Sequence, residues 1–168
     1  MTVLVEGQLH FDFPDDWEAS KLDDWHSYRR CFATLDNGIK CVDFLAYGPG
    51  RDVWLIEVKD YRQGRITSMS ELIEAVVGKV RDSLGVVSSA CWQHQAPEEQ
   101  RLARLATQKG RLNIVLHIEQ PRHRSRLRPE PLDRASLKQS LRRKLHKLSA
   151  SQWVVDSRSS GDLPWAVN

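Results

Sequence analysis

Three charged residues interrupt two otherwise apolar runs. Asp43 stands inside Cys-Val-Asp-Phe-Leu-Ala, and Glu57 and Lys59 close the run Val-Trp-Leu-Ile-Glu-Val-Lys. A charged side chain is a costly choice in a half-buried strand unless it is paired or binds an ion. Glu57 and Lys59 are two residues apart, so on a strand both point to one face, about 7 Å apart along it. With Lys40 to Tyr47 and Val53 to Tyr61 as strands joined at Gly48-Pro49-Gly50, an antiparallel hairpin is expected, and Asp43 can lie on that same face. Two carboxylates with an open coordination sphere suit Mg²⁺ (or Mn²⁺), which prefers hard oxygen ligands and keeps several waters. A bound ion would lower the pKa of water and neutralise charge growing on a phosphate. The ammonium beside it would orient the water or stabilise that charge. Phosphodiester hydrolysis fits this equipment; the bland alternative is a Glu57–Lys59 surface ion pair next to a structural Asp43.

The elements that must position these residues are legible as patterns. Leu9, Phe11 and Phe13 alternate with His10 and Asp12, a strand that Pro14 and Asp15-Asp16 end. A helix is expected roughly from Ser20 to Phe32, with Leu22, Trp25, Arg29 and Phe32 on one face, and a turn at Asp36-Asn37-Gly38. Ser68 and Glu71 form a capping box for a long helix carrying Leu72, Val76, Val80, Leu84 and Val87 at helical spacing. Pro97 opens a shorter helix and Gly110 closes it. Leu112 to Glu119 reads as a strand with Ile114, Leu116 and Ile118 buried. Asp133 caps a last helix with Leu137, Leu141, Leu145 and Leu148 on its apolar stripe, and Ser151 to Asp156 reads as a final strand. The fold class implied is α/β, a mixed central β-sheet flanked by α-helices. A length of 168 residues suits one domain over 1–168, with a basic helical C-terminal segment over 122–149 and Arg122 to Pro131 as loop.

Val42-Asp43, thirteen intervening residues and then Glu57-Val58-Lys59 resemble the signature of the PD-(D/E)XK nuclease superfamily. Val42 stands where the motif's name places proline, a mild departure. The resemblance covers the core from about Ser20 to Val87 and implies a restriction-endonuclease-like core with divalent-metal-dependent nuclease activity. By that resemblance Asp43 and Glu57 bind the metal, the backbone carbonyl of Val58 faces it, and Lys59 is the catalytic lysine. A further carboxylate from the first helix is expected among Glu18, Asp23 and Asp24, with Asp24 preferred. DNA is implied over RNA, because the superfamily consists mostly of DNA enzymes, in a restriction, defence, repair or mobile-element setting. Two rivals stand beside this reading. One is a catalytically inactive nucleic-acid-binding or assembly module with the same fold, indifferent to Mg²⁺. The other is an interaction domain, a homodimer through the Leu137-to-Leu148 stripe.

Charge is unevenly placed. Met1 to Pro121 carries 14 Lys and Arg against 18 Asp and Glu, whereas Arg122 to Lys147 carries 10 against 2, within an overall net charge of +3. Such clustering is the electrostatic footprint of a polyanion partner, though a solvated amphipathic helix has the same composition. Lys138, Arg142, Arg143 and Lys147 fall outside the apolar stripe and are candidate nucleic-acid contacts, as is Arg62, which follows the hairpin site. Lys79 lies beside Val76 and Val80, where it either reaches the phosphate or snorkels to the surface. His117 is expected on the polar face of its strand. Trp92, Trp153 and Trp165 either stack on bases or pack in the core. Three widely spaced cysteines form no disulfide framework, which places the chain in a reducing cytoplasm. The apolar runs are too short for the roughly 20 residues of a membrane span, so no membrane is expected as a partner.

Overall fold

The computed structural model describes residues 1–35, 39–63, 66–121, 131–149 and 151–168. The expected turn at 36–38 and most of the 122–131 loop lie outside the described residues. In chain order the strands and α-helices are β1 (Thr2–Glu6), β2 (Leu9–Phe13), β3 (Glu18–Lys21), β4 (Phe44–Tyr47), β5 (Asp52–Asp60), α1 (Met69–Ala90), α2 (Pro97–Thr107), β6 (Arg111–Glu119), α3 (Arg134–Leu145), β7 (Ser151–Val155) and β8 (Ala166–Val167). Among the described residues no helix is long and apolar enough to cross a membrane.

The fold is mixed α/β. Its main sheet has the order β3-β4-β5-β6-β7, antiparallel from β3 to β5 and parallel from β5 to β7. Parallel neighbours need long crossovers. Here α1 and α2 lie in the β5–β6 connection, and α3 lies in the β6–β7 connection. The helices bring Leu72, Val76, Val80, Ala103, Leu137 and Leu141 against Leu55, Leu116 and Ile118 of the sheet.

The opposite face of the main sheet is covered by a small additional sheet of order β1-β2-β8, which the sequence patterns do not lead one to expect. β1 and β2 form a hairpin in which Glu6 pairs with Leu9, and Gly7 takes the positive φ (+59°) that such a short turn requires. β2 places Phe11 and Phe13 against Phe44, Ile56, Val115 and Trp165. With both faces covered, β6 is buried almost throughout, which accounts for its near-continuous apolar run. His117 is therefore not on a sheet surface: it is 1% exposed, edge-on to Phe11, and its Nε2 lies 3.1 Å from Glu119 Oε1.

The helix expected from Ser20 to Phe32 is replaced by three short pieces. Glu18–Lys21 pairs with β4, Leu22–Asp24 makes a 3₁₀ turn, and Ser27–Phe32 forms a π-type turn. Two long-range effects override the local pattern. The β4 edge captures residues 18–21, and the Glu99 carboxylate of α2 accepts the N–H groups of His26 and Ser27 at 2.6 and 3.1 Å, a cap supplied from far along the chain. α2 ends at Thr107, before Gly110. Leu137, Leu141 and Leu145 are buried as expected, but Leu148 is 53% exposed because the helix has already ended.

Candidate functional site

The approach to β4 is tied to α1 instead of to the sheet. The Lys40 N–H donates to Asp82 Oδ2 (3.2 Å) and the Val42 N–H to Ser83 Oγ (2.9 Å), while Ser83 Oγ donates to the Lys79 carbonyl (2.7 Å). β4 consequently begins at Phe44, and Asp43 stands just ahead of the strand rather than in its middle. The Asp43 carbonyl accepts the Leu22 N–H at 3.1 Å, and its carboxylate Oδ2 accepts the Val58 N–H at 2.6 Å. Val58 thus meets Asp43 through its N–H. Glu57 leaves β5 on the α1 side and is 1% exposed.

These constraints bring Asp43, Glu57 and Lys59 together, and add a residue that the sequence left between two readings. Lys79 of α1 is not a snorkelling surface lysine. Its Nζ lies 2.8 and 2.9 Å from the two oxygens of Glu57 and 3.7 Å from Asp43 Oδ1. Lys59 Nζ lies 2.7 Å from Glu57 Oε1. Burial pushes the Asp43 carboxyl up to about 7; the Glu57 charge adds to this, and Lys79 and the Val58 N–H oppose it. Burial alone would favour a neutral Lys79, but Glu57 and Asp43 outweigh it and hold its pKa above the ordinary lysine value. Glu6 of β1, whose charge also bears on Asp43 and Lys79, pairs with Lys21 at 2.9 Å beside the cluster. No sequence pattern points to Glu6, because the sheet that carries it is itself unexpected.

With Asp43 ionised, two carboxylates and two ammonium groups sum to zero charge; with Asp43 protonated the cluster carries +1. The point where Asp43 and Glu57 converge, which would suit a hard cation, is filled by Lys79. The Mg²⁺ or Mn²⁺ implied by the resemblance does not fit between these carboxylates unless Lys79 is displaced. Among the described residues no group of three or more His, Cys, Asp or Glu side chains is gathered to hold an ion. As arranged, the cluster ties the start of β4, the end of β5 and the middle of α1 to one another. A buried pair of this kind is strongly destabilised when one member is removed.

The other predicted residues fall elsewhere. Asp24 is exposed and paired with Arg29, away from the cluster, and Glu18 pairs with Arg101. Arg62 makes a bidentate pair with Asp60, at 2.9 and 2.6 Å. Lys138, Arg142, Arg143 and Lys147 are all exposed on or just after α3, which Asp133 caps through the Ser136 N–H at 2.8 Å. Trp165 is core; Trp153 is half-buried beside α3.

No family model matches the chain, and no solved structure matches it. It is similar to a protein of Neisseria meningitidis (serogroup A) named "Cysteine--tRNA ligase", with 32% identity over 167 residues, covering 82% of this chain and 24% of that protein. The chain thus spans about a quarter of the length of the curated relative it matches. This likeness overturns the expected function. The relative is a ligase named for cysteine and tRNA, not a DNA hydrolase, and the reading as a metal-dependent nuclease acting on DNA is withdrawn.

Proposed function

We propose that this chain is an RNA-facing domain that serves a tRNA ligase reaction, holding tRNA on the exposed basic face of α3. The likeness to the Neisseria ligase carries the reading: it runs through most of this chain yet spans only a domain-sized share of the larger protein. The charge distribution supports it. Between Met1 and Pro121 acids outnumber bases, so this part repels a polyanion, while the exposed cations of α3 attract one. The setting is cytoplasmic in this reading.

The test is equilibrium binding of the full chain to tRNA-Cys, to an unrelated structured RNA and to duplex DNA of matched length, at several salt concentrations. Aminoacylation by the ligase would be measured with and without the chain. Tighter binding to tRNA than to duplex DNA, and a changed aminoacylation rate, are expected. Equal affinity for duplex DNA and tRNA, or no RNA binding at low salt, would overturn the reading.

A further inference from the structure

β7 is the outer strand of the main sheet, and among the described residues nothing pairs with its free edge. An edge strand turns backbone N–H and C=O groups outward at alternate residues, where they are open to a partner. Along this edge runs a cleft of about 300 Å³ between the first turns of α3 and the segment Ser159–Asp162, lined by Arg134, Lys138, Trp153, Ser159 and Asp162 among others. Trp153 is half-buried, with its ring 6.1 Å from that of Trp54, so the indole is held by the core and not free to collapse into the cleft.

The two basic residues of the cleft are differently engaged. Arg134 pairs with Asp156 at 3.0 Å and also meets Ser159 Oγ. Lys138 has no carboxylate partner among the described residues, and its Nζ lies 5.6 Å from the centroid of the Trp153 ring. Arg134, Lys138 and Arg142 recur every four residues and so form one stripe along α3. Asp162 on the far wall is the one acid among the lining residues. An aromatic face, an ammonium without a carboxylate partner, open main-chain hydrogen-bonding groups and a stripe of cations leading away match the parts of a single-stranded nucleotide: its ring, its phosphate, its base edge and the backbone that follows.

We propose that this cleft seats an unpaired RNA nucleotide, with the base on Trp153, its phosphate on Lys138 and the adjoining strand along Arg142. The proposal rests on the RNA-facing role argued above, and it assigns that role a contact point and a preference for unpaired RNA. A base can share the Trp153 face with Lys138 because the ammonium moves off the ring toward the phosphate that accompanies the base.

The test uses the full chain with two RNA probes, an eight-nucleotide oligouridine and a blunt RNA duplex. Trp153→Leu should weaken oligouridine binding at least fivefold and leave duplex affinity within twofold. Lys138→Gln, an exposed substitution that leaves the fold intact, should weaken oligouridine binding and reduce the slope of log affinity against log salt by about 0.7 to 1. Ultraviolet crosslinking of oligouridine carrying one 4-thiouridine to the unchanged chain should map to residues 151–155, a result that does not depend on a Trp153 variant folding. Crosslinks elsewhere, or unchanged oligouridine affinity in Lys138→Gln, would overturn the cleft assignment while tRNA binding by the unchanged chain keeps the broader reading. A self-associating chain whose RNA affinity ignores both substitutions would give the β7 edge to another copy instead. Failure of the unchanged chain to bind either RNA probe or tRNA overturns both.

Discussion

Beneath α1, Asp43, Glu57, Lys59 and Lys79 face one another as ion pairs; along α3, Lys138, Arg142, Arg143 and Lys147 face solvent. The buried cluster resembles a catalytic motif in sequence, and its contacts join the start of β4, the end of β5 and the middle of α1. The α3 face has the composition of an ordinary amphipathic helix and is the better candidate for meeting a polyanion. Charge buried with its partners holds a fold together and says little to the outside. Charge left exposed costs little stability and sets a long-range field. The contrast can be broken by experiment at either end.

The largest effect is expected from Lys79→Ala. It leaves Glu57 buried with Lys59 as its remaining ammonium and should cost about 3–5 kcal/mol in urea-induced unfolding. The double substitution Arg142→Glu and Arg143→Glu should change stability by no more than about 0.5 kcal/mol while lowering tRNA affinity and its salt slope. If the double variant loses more stability than Lys79→Ala, the contrast is reversed.

A pH titration comes next. The Asp43 carboxyl is raised to about 7 in the folded chain, against an ordinary value near 4. Between those values the folded state binds the extra proton, so this group makes stability fall as pH rises from about 4 to about 7 and has no further effect above. His117, whose pKa burial lowers against the pull of Glu119, acts oppositely: its contribution is present above the ordinary histidine value and is lost on acidification below it. Urea unfolding across pH 4 to 8 should lose its downward Asp43 component, about 4 kcal/mol, in Asp43→Asn. An unchanged profile in that variant would mean that Asp43 titrates normally.

A smaller effect sharpens the question of the ion. In the unchanged chain Lys79 fills the meeting point of Asp43 and Glu57, so millimolar Mg²⁺ should leave the melting temperature unaltered. In Lys79→Ala the place is vacated, and Mg²⁺ at a hundredfold excess over its dissociation constant should return about 2.7 kcal/mol. Equal response of both proteins to Mg²⁺ would show that the lysine does not compete with the ion. Last, Asp133→Ala removes the cap of α3 and should cost ~1 kcal/mol by urea unfolding.

How much of this is readable from sequence depends on the range of the interactions involved. α1 is legible because its capping box and its stripe from Leu72 to Val87 are local. The convergence of Asp43, Glu57 and Lys59 is legible because a hairpin has few registers. The place of Lys79 is not, because the spacing of α1 fixes which residues share a face but not how α1 lies over the sheet. The short β1 and β8 strands carry little local signal, and β8 pairs through two residues with a strand at the other end of the chain. The cap that Glu99 lends to His26 and Ser27 spans more than 70 positions, and no local pattern in 20–32 could announce it.

The parallel pairing of β5 with β6 sets a kinetic condition on the molecule. Val53 meets Leu112, Leu55 meets Ile114 and Glu57 meets Leu116, each pair 59 positions apart. Such contacts form only after a long loop has closed, and folds rich in them cross their barrier in milliseconds to seconds. During refolding the β4–β5 hairpin has only residues 48–51 to close, residues 22–43 separate β3 from β4, and β6, beyond residues 61–110, is the strand that must wait longest. Until it arrives, Glu57 lies on a sheet with a bare edge. The lysine that answers it from α1 then helps decide how long that unfinished state lasts, as well as how stable the finished one is.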